Sequence, residues 1–248
     1  MKWYIGCSGF HYGEWKDIFY PSGLSRSRWF EYYCGRFNTV ELNVTFYRFP
    51  RPGMLRKWYE ESPPGFSFAV KVPRLITHYK RFRDVDRLLS DFYGTLQEGL
   101  AEKAGPVLFQ LPAATGYSPQ ILESILSAMD PKFQNAVEFR HPGWWQKKVF
   151  RTLAAQGVSF CGSSFPELPD VPIINYPVVY YRFHGVPVLY RSVYRASKLQ
   201  EIASPILKSR KARTVFVYFN NTATAAALRN ALAFKRLVEK REKSGRLA

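Results

Sequence analysis

The chain alternates short β-branched and aromatic runs with helix-patterned segments, and it does so eight times without a hairpin turn. A tight turn reaches an antiparallel neighbour, whereas a parallel neighbour needs a crossover, so this alternation predicts parallel strands. The runs lie at residues 3–8, 39–49, 66–72, 106–111, 136–140, 158–163, 178–184 and 214–220. Helices are predicted over 27–36, 53–61, 84–103, 120–129, 147–156, 197–208 and 222–240. Asp84 is read as an N-cap, Ser118-Pro119 as an N-cap followed by an N1 proline, and Gly157 as a helix stop. Eight β/α units in 248 residues match a closed (β/α)8 TIM-type barrel. No G-x-G-x-x-G follows the first run, which disfavours an open dinucleotide-binding sheet. The sixth unit is irregular, because Pro169 and Pro172 exclude an ordinary helix and predict a loop. Residues 1–240 are thus expected to form a single barrel domain, and the basic tail 241–248 to fray.

Hydrophobic residues make up 46% of the chain, enough for a large core, and no apolar run reaches the roughly 18–20 residues of a membrane span. The N-terminus lacks the pattern of a secretory signal, so a cytoplasmic location is expected. Cys7, Cys34 and Cys161 are too few and too far apart for a disulfide framework or a thiolate metal site, and each is read as a small apolar residue. H-x-H, H-E-x-x-H, a P-loop and a serine nucleophile elbow are all absent, so neither a metal nor a cofactor is expected. The net charge of +17 attracts anions, from small phosphorylated or carboxylated molecules to nucleic acid. Nothing in the sequence fixes an oligomeric state.

Residues two apart on a strand face the same way. By that rule Glu41, Asn43 and Thr45 share a face, as do Ser67, Ala69 and Lys71. The same holds for Leu108 with Gln110, Glu138 with Arg140, Tyr180 with Arg182 and His184, and Tyr218 with Asn220. Their neighbours Leu42, Val70, Phe139 and Phe183 are apolar, as an outer face covered by helices requires. The polar parity therefore points into the barrel, at the C-terminal strand ends where barrel enzymes build their sites. The expected site has Glu41, Glu138 and His184 as proton carriers. Asn43, Lys71, Gln110, Arg140, His141, Arg182, Tyr218 and Asn220 are expected as substrate-binding groups. His78 and His141, beyond the third and fifth runs, are also within reach of the mouth. The competing structural reading is an ion-pair network that plugs the barrel. Aromatic residues near the rim, Phe10, Tyr12, Trp15, Trp144 and Trp145, offer either stacking surfaces or packing of loops onto the barrel.

Several of these segments resemble the family of domain of unknown function 72, the YecE-like proteins, described as related to sugar isomerases. The resemblance lies in Gly6-Cys7-Ser8-Gly9-Phe10, Val40-Glu41-Leu42-Asn43, Phe66-Ser67-Phe68-Ala69-Val70-Lys71 and Gly105-Pro106-Val107-Leu108-Phe109-Gln110-Leu111-Pro112. It continues in Val137-Glu138-Phe139-Arg140-His141, Tyr181-Arg182-Phe183-His184-Gly185 and Val217-Tyr218-Phe219-Asn220-Asn221. It implies a barrel with these motif residues at its strand ends, and no particular reaction or cofactor. Departures fall at Phe10, where the family usually has Trp, in the stretch 192–203, and at Thr222, Ala225 and Ala226, where acidic and histidine residues are common.

The leading expectation is an enzyme that acts by acid–base chemistry on a small anionic, sugar-like substrate. Arg140, Arg182 and Lys71 would bind the anion, and Glu138, Glu41 and His184 would move protons. Nucleic-acid binding or processing driven by the net charge is the alternative, and a non-catalytic ligand sensor is a second one.

Overall fold

Each of the eight runs forms a strand, and every ladder between them is parallel. The computed structural model describes residues 1–245. Its strands are β1 (Lys2–Cys7), β2 (Thr39–Leu42), β3 (Ser67–Lys71), β4 (Ala104–Gln110), β5 (Asn135–Glu138), β6 (Ser159–Ser164), β7 (Val178–Phe183) and β8 (Thr214–Phe219). They form one sheet in the order β1-β8-β7-β6-β5-β4-β3-β2, curled so that β1 returns to β2. Around it lie α1 (Trp29–Cys34), α2 (Val44–Tyr47), α3 (Pro52–Glu61), α4 (Asp86–Leu100), α5 (Pro119–Ser127), α6 (Lys147–Ala155), α7 (Ala196–Leu207) and α8 (Ala226–Gly245). The fold is therefore the expected α/β barrel of TIM type.

Among the described residues, the seam between β1 and β2 is closed by one backbone bridge, Ser8 to Glu41, and by side chains that stand in for a ladder. The Cys7 amide donates to the Tyr33 hydroxyl at 2.8 Å, and that hydroxyl donates to the Thr39 carbonyl at 3.0 Å. Asn38 does the same one step lower, accepting from the Ile5 amide and donating to the Trp3 carbonyl. Gly6 makes room for this arrangement, since a Cβ there would lie 2.2 Å from the Thr39 oxygen. Tyr33→Phe leaves a buried amide and a buried carbonyl unpaired. The expected result is a loss of about 1–3 kcal/mol of unfolding free energy, read from the urea midpoint. An unchanged midpoint would show that the seam holds without the hydroxyl.

Two apolar layers follow from strand alternation. Leu42, Val70, Phe139 and Phe183 pack outward against the helices in the larger core. A separate inner core holds Tyr4, Ala69, Leu108, Ala136, Cys161, Tyr180, Phe216 and Tyr218, which fill the barrel below its mouth. Cys7 and Cys161 are buried and Cys34 half-buried, all as free thiols.

Helix ends obey local chemistry where it is strong. The Ser118 hydroxyl accepts from the Ile121 amide with Pro119 next, and Gly157 turns left-handed, with φ +70°, just past α6. Asp84 does not cap α4; it adopts a positive φ, and the helix begins at Asp86. The second strand is shorter than the expected 39–49. It stops at Leu42, Asn43 turns helical, and α2 follows. The Thr45 hydroxyl, 2.8 Å from the Leu42 carbonyl and 2.6 Å from the Lys71 carbonyl, takes part in the turn rather than continuing the strand face. No helix forms between β6 and β7, as the prolines predict. That loop is pinned by Asp170, which accepts from Ser164 and Tyr181 and pairs with Lys198. Helix α8 runs on to Gly245, so residues 241–245 extend the helix instead of forming the expected tail. Glu242 accepts from the Trp3 indole at 3.2 Å, which ties this end to the barrel. Residues 246–248 of the expected tail lie outside the described residues. Among the described residues no helix is long and apolar enough to cross a membrane.

Candidate active site at the barrel mouth

Arg182, on β7, sits fully buried between two carboxylates from distant strands. Its Nη1 donates to Glu138 Oε2 at 2.5 Å and its Nη2 to Glu41 Oε1 at 2.7 Å. Glu41 also accepts from Ser8 and Tyr180, each at 2.6 Å. Glu138 Oε1 lies 2.7 Å from His184 Nε2. A carboxylate only accepts, so Nε2 carries the proton, and His184 Nδ1 accepts from the Asn220 amide at 3.0 Å.

These contacts set the charges. Burial alone would raise Glu41, but Arg182 and the hydrogen bonds from Ser8 and Tyr180 outweigh it and hold the carboxyl low. Burial is likewise outweighed at Glu138, where Arg182, Arg140 and His184 hold the carboxyl well below the usual range. Burial depresses His184 to about 4, and Arg182 and Arg140 add to this against the pull of Glu138. The cluster is therefore two carboxylates, one guanidinium and a neutral imidazole, with no proton in motion near neutrality.

Above this cluster opens a cavity of about 650 Å³. Its cationic lining is Lys71, Arg74, Arg140 and Arg182, and among the described residues no carboxylate lines it. Aromatic walls come from Phe46, Tyr47, Tyr79, Phe165 and Tyr190. Asn43, Gln110 and Asn220 add amide groups, and His78, Tyr12 and Thr222 complete the rim. Arg140 rides over the Phe165 ring at 4.6 Å, and its Nε lies 3.6 Å from Glu138, too far for a hydrogen bond. Among the described residues, Arg140 Nε, Arg182 Nε and Asn43 Oδ1 are buried without a hydrogen-bond partner.

Lys71 is buried at the end of β3, and its Nζ stands 3.8 Å from the centre of the Phe46 ring. Burial lowers its pKa to about 7, with Arg182 and Arg140 adding to the depression against Glu138 and Glu41. His78 is lowered to about 4 by burial and by Lys71, Arg140 and Arg74, so it is neutral. The short π-helical turn Leu75–Tyr79 carries His78 to the rim, where Nδ1 meets the Thr77 hydroxyl at 2.8 Å.

The expected site residues thus divide by depth. Asn43, Lys71, Gln110, Arg140, Arg182 and Asn220 reach the cavity. Glu41, Glu138 and His184 have the right parity but are not on the cavity wall; they form the ionic floor beneath it. Tyr218 lies deeper still, in the inner core, with its hydroxyl 2.6 Å from Thr39. His141 leaves the mouth altogether, because its Nδ1 accepts from the Gly143 amide and caps the turn after β5. Of the aromatic candidates, Trp144 stacks on Phe139 and Trp15 is buried, so both pack the rim, while Tyr12 lines the cavity. Arg74, Phe165 and Tyr190 lie in segments between strands, where alternation carries no signal. Among the described residues no three His, Cys, Asp or Glu side chains gather as a metal ion needs.

A family model described as "Protein of unknown function DUF72" matches residues 4–247. UPF0759 protein YecE of Escherichia coli (strain K12) is 32% identical over 147 residues, covering 58% of this chain and 50% of YecE. The chain therefore spans about half the length of that relative. UPF0759 protein YunF of Bacillus subtilis (strain 168) is 26% identical, with 92% of this chain and 91% of YunF covered. The crystal structure of a DUF72 family protein from Thermotoga maritima MSB8 superposes with a TM-score of 0.87 at 28% identity, covering 96% of this chain and all of that one.

Proposed function

The chain belongs to the DUF72 family of proteins of unknown function, and from that premise we propose that it is an enzyme acting by acid–base chemistry on a small anionic, sugar-like molecule at the barrel mouth. One observation carries the reading: among the described residues the cavity wall presents Lys71, Arg74, Arg140 and Arg182 and no carboxylate. The two acids of the barrel interior are spent on Arg182 below. Guanidinium groups suit phosphate or carboxylate oxygens, and the faces of Tyr47, Phe165 and Tyr190 suit a sugar ring. Glu41, Glu138 and His184 hold this wall in position rather than carry protons. Lys71 takes over the proton-moving role, since a group poised near neutrality both gives and accepts a proton.

Isothermal titration with ribose 5-phosphate, fructose 6-phosphate and glucuronate, against the uncharged sugars, tests the reading. The anions are expected to bind and the uncharged sugars not to. An anion beside Lys71 favours the ammonium and raises its pKa from about 7. Binding at about pH 8 then takes up a proton, and the heat varies with the ionisation enthalpy of the buffer. Equal binding of charged and uncharged sugars would contradict the proposal.

A further inference from the structure

We infer that Lys71 is a nucleophile that condenses with the carbonyl carbon of a bound anionic aldehyde or ketone, holding it as an imine. The inference rests on the anion-binding reading above and deepens it.

Among the described residues two lysines are buried, and they are built differently. Lys103 donates from Nζ to the Tyr59 carbonyl, the Ser62 carbonyl and the Ser62 hydroxyl, at 2.7, 2.7 and 2.9 Å. All three of its N–H groups are used, and its ammonium is a structural plug. Lys71 is held differently: among the described residues its Nζ has no hydrogen bond or ion pair to a carboxylate or carbonyl, and it lies against the Phe46 ring face. It opens on the cavity at the C-terminal end of a barrel strand, where a substrate would sit.

The charges around Lys71 favour a free amine. Arg182 and Arg140 face it from β7 and the end of β5, neutral His78 from the segment after β3, and Glu138 and Glu41 from β5 and β2, while Arg74 lines the same cavity. Both carboxylates are committed to Arg182, so neither pairs with Nζ. The ring face of Phe46 favours an ammonium, but burial and the guanidinium groups outweigh it. A desolvated lysine beside other cations is a recognised way to activate an amine for carbonyl chemistry.

The step balances without an oxidant or reductant. The Nζ lone pair forms a bond to the carbonyl carbon while an N–H proton passes to the oxygen, giving a carbinolamine. The C–O bond then breaks, water leaves and C=N forms; hydrolysis reverses the sequence. The guanidinium groups of Arg140 and Arg74, on the cavity wall, hold the anionic end throughout.

The test uses the whole chain with glyoxylate as probe and cyanoborohydride as trap, at about pH 7, followed by peptide mass spectrometry. At that pH an ordinary lysine is a free amine in only about one molecule in three thousand. Lys71 is expected to gain the carboxymethyl adduct at least about tenfold faster than any other lysine. Inorganic phosphate is expected to slow that labelling, and Lys71→Arg to abolish the preference. Adducts spread evenly over the lysines, or none on Lys71, would overturn the inference. Phosphate binding measured separately by calorimetry distinguishes the two levels. Phosphate bound without selective labelling leaves the anion site standing and removes the imine. Selective labelling that phosphate neither slows nor accompanies with binding heat keeps the nucleophile and removes the anion site.

Discussion

Arg182→Met is expected to lower the unfolding free energy by about 3–5 kcal/mol near neutral pH. The substitution removes the one cation that bonds both Glu41 and Glu138, and it leaves two buried carboxylates facing each other. In a domain of this size that loss corresponds to a fall in Tm of roughly 6–20 °C. The pH dependence is diagnostic. In the parent chain Glu41 and Glu138 have depressed pKa values. Their contribution is present above the unfolded glutamate value, about 4.3, and is lost as pH falls through the depressed values. In the variant, burial raises both carboxyls, since Glu41 has lost its guanidinium partner and Glu138 keeps only Arg140, 3.6 Å away. Their contribution is then fullest below about pH 4 and is lost as pH rises toward neutrality. The gap between parent and variant should be widest near neutrality and narrow in acid. Adding Glu41→Gln and Glu138→Gln to the variant should recover about 2 kcal/mol or more, because the repelling charges are gone. Calorimetric scans from acid to neutral pH check both points. A variant as stable as the parent at neutral pH would mean that Arg182 does not neutralise the floor.

Lys71→Met should do the reverse, raising stability while removing function. Methionine fills a similar volume against Phe46 and carries no charge. In the parent, the lysine's pKa falls from 10.5 to about 7 on folding. A depressed lysine costs stability that is fully felt below the folded value and vanishes above the unfolded one. The variant is therefore expected to be more stable by a few kcal/mol, on the order of 2–4, at about pH 7. The advantage should fade as the pH approaches about 10, because the parent gains stability over that interval and the variant does not. Its affinity for an anionic sugar should fall by about 100-fold or more, with the loss of a buried charge–charge contact. Denaturant titrations at several pH values, with calorimetry of ligand binding, measure the two effects on the same samples. A variant less stable than the parent at neutral pH would show that the buried amine is paired and welcome.

The barrel was legible because both of its signals are periodic. Leu42, Val70, Phe139 and Phe183 share the outer parity, and Lys71, Gln110, Arg140 and Arg182 share the inner one. Depth along the barrel axis is not periodic. Glu41 and Tyr218 have the same parity as Lys71, yet they lie below the cavity, because Glu41 is level with Ala69, one layer beneath Lys71, and Tyr218 belongs to the inner core. Pairing across strands is also invisible in one dimension. Glu41 and Arg182 are 141 residues apart, and only the closed barrel turns a candidate proton carrier into the partner of a guanidinium. His141 was misplaced for a local reason: one residue past the strand region, its ring turns back to accept from Gly143. Arg74 and Tyr190 could not be assigned by alternation, since they sit on irregular segments beyond β3 and β7.

The most direct measurement is an NMR titration of the Lys71 side chain in lysine-labelled protein, with and without inorganic phosphate. The expected curve has its midpoint at about pH 7 and moves upward by about a unit or more when phosphate is added. A Lys71 resonance that titrates above about pH 10, as exposed lysines do, and ignores phosphate would contradict a cationic mouth holding a desolvated, unpaired amine.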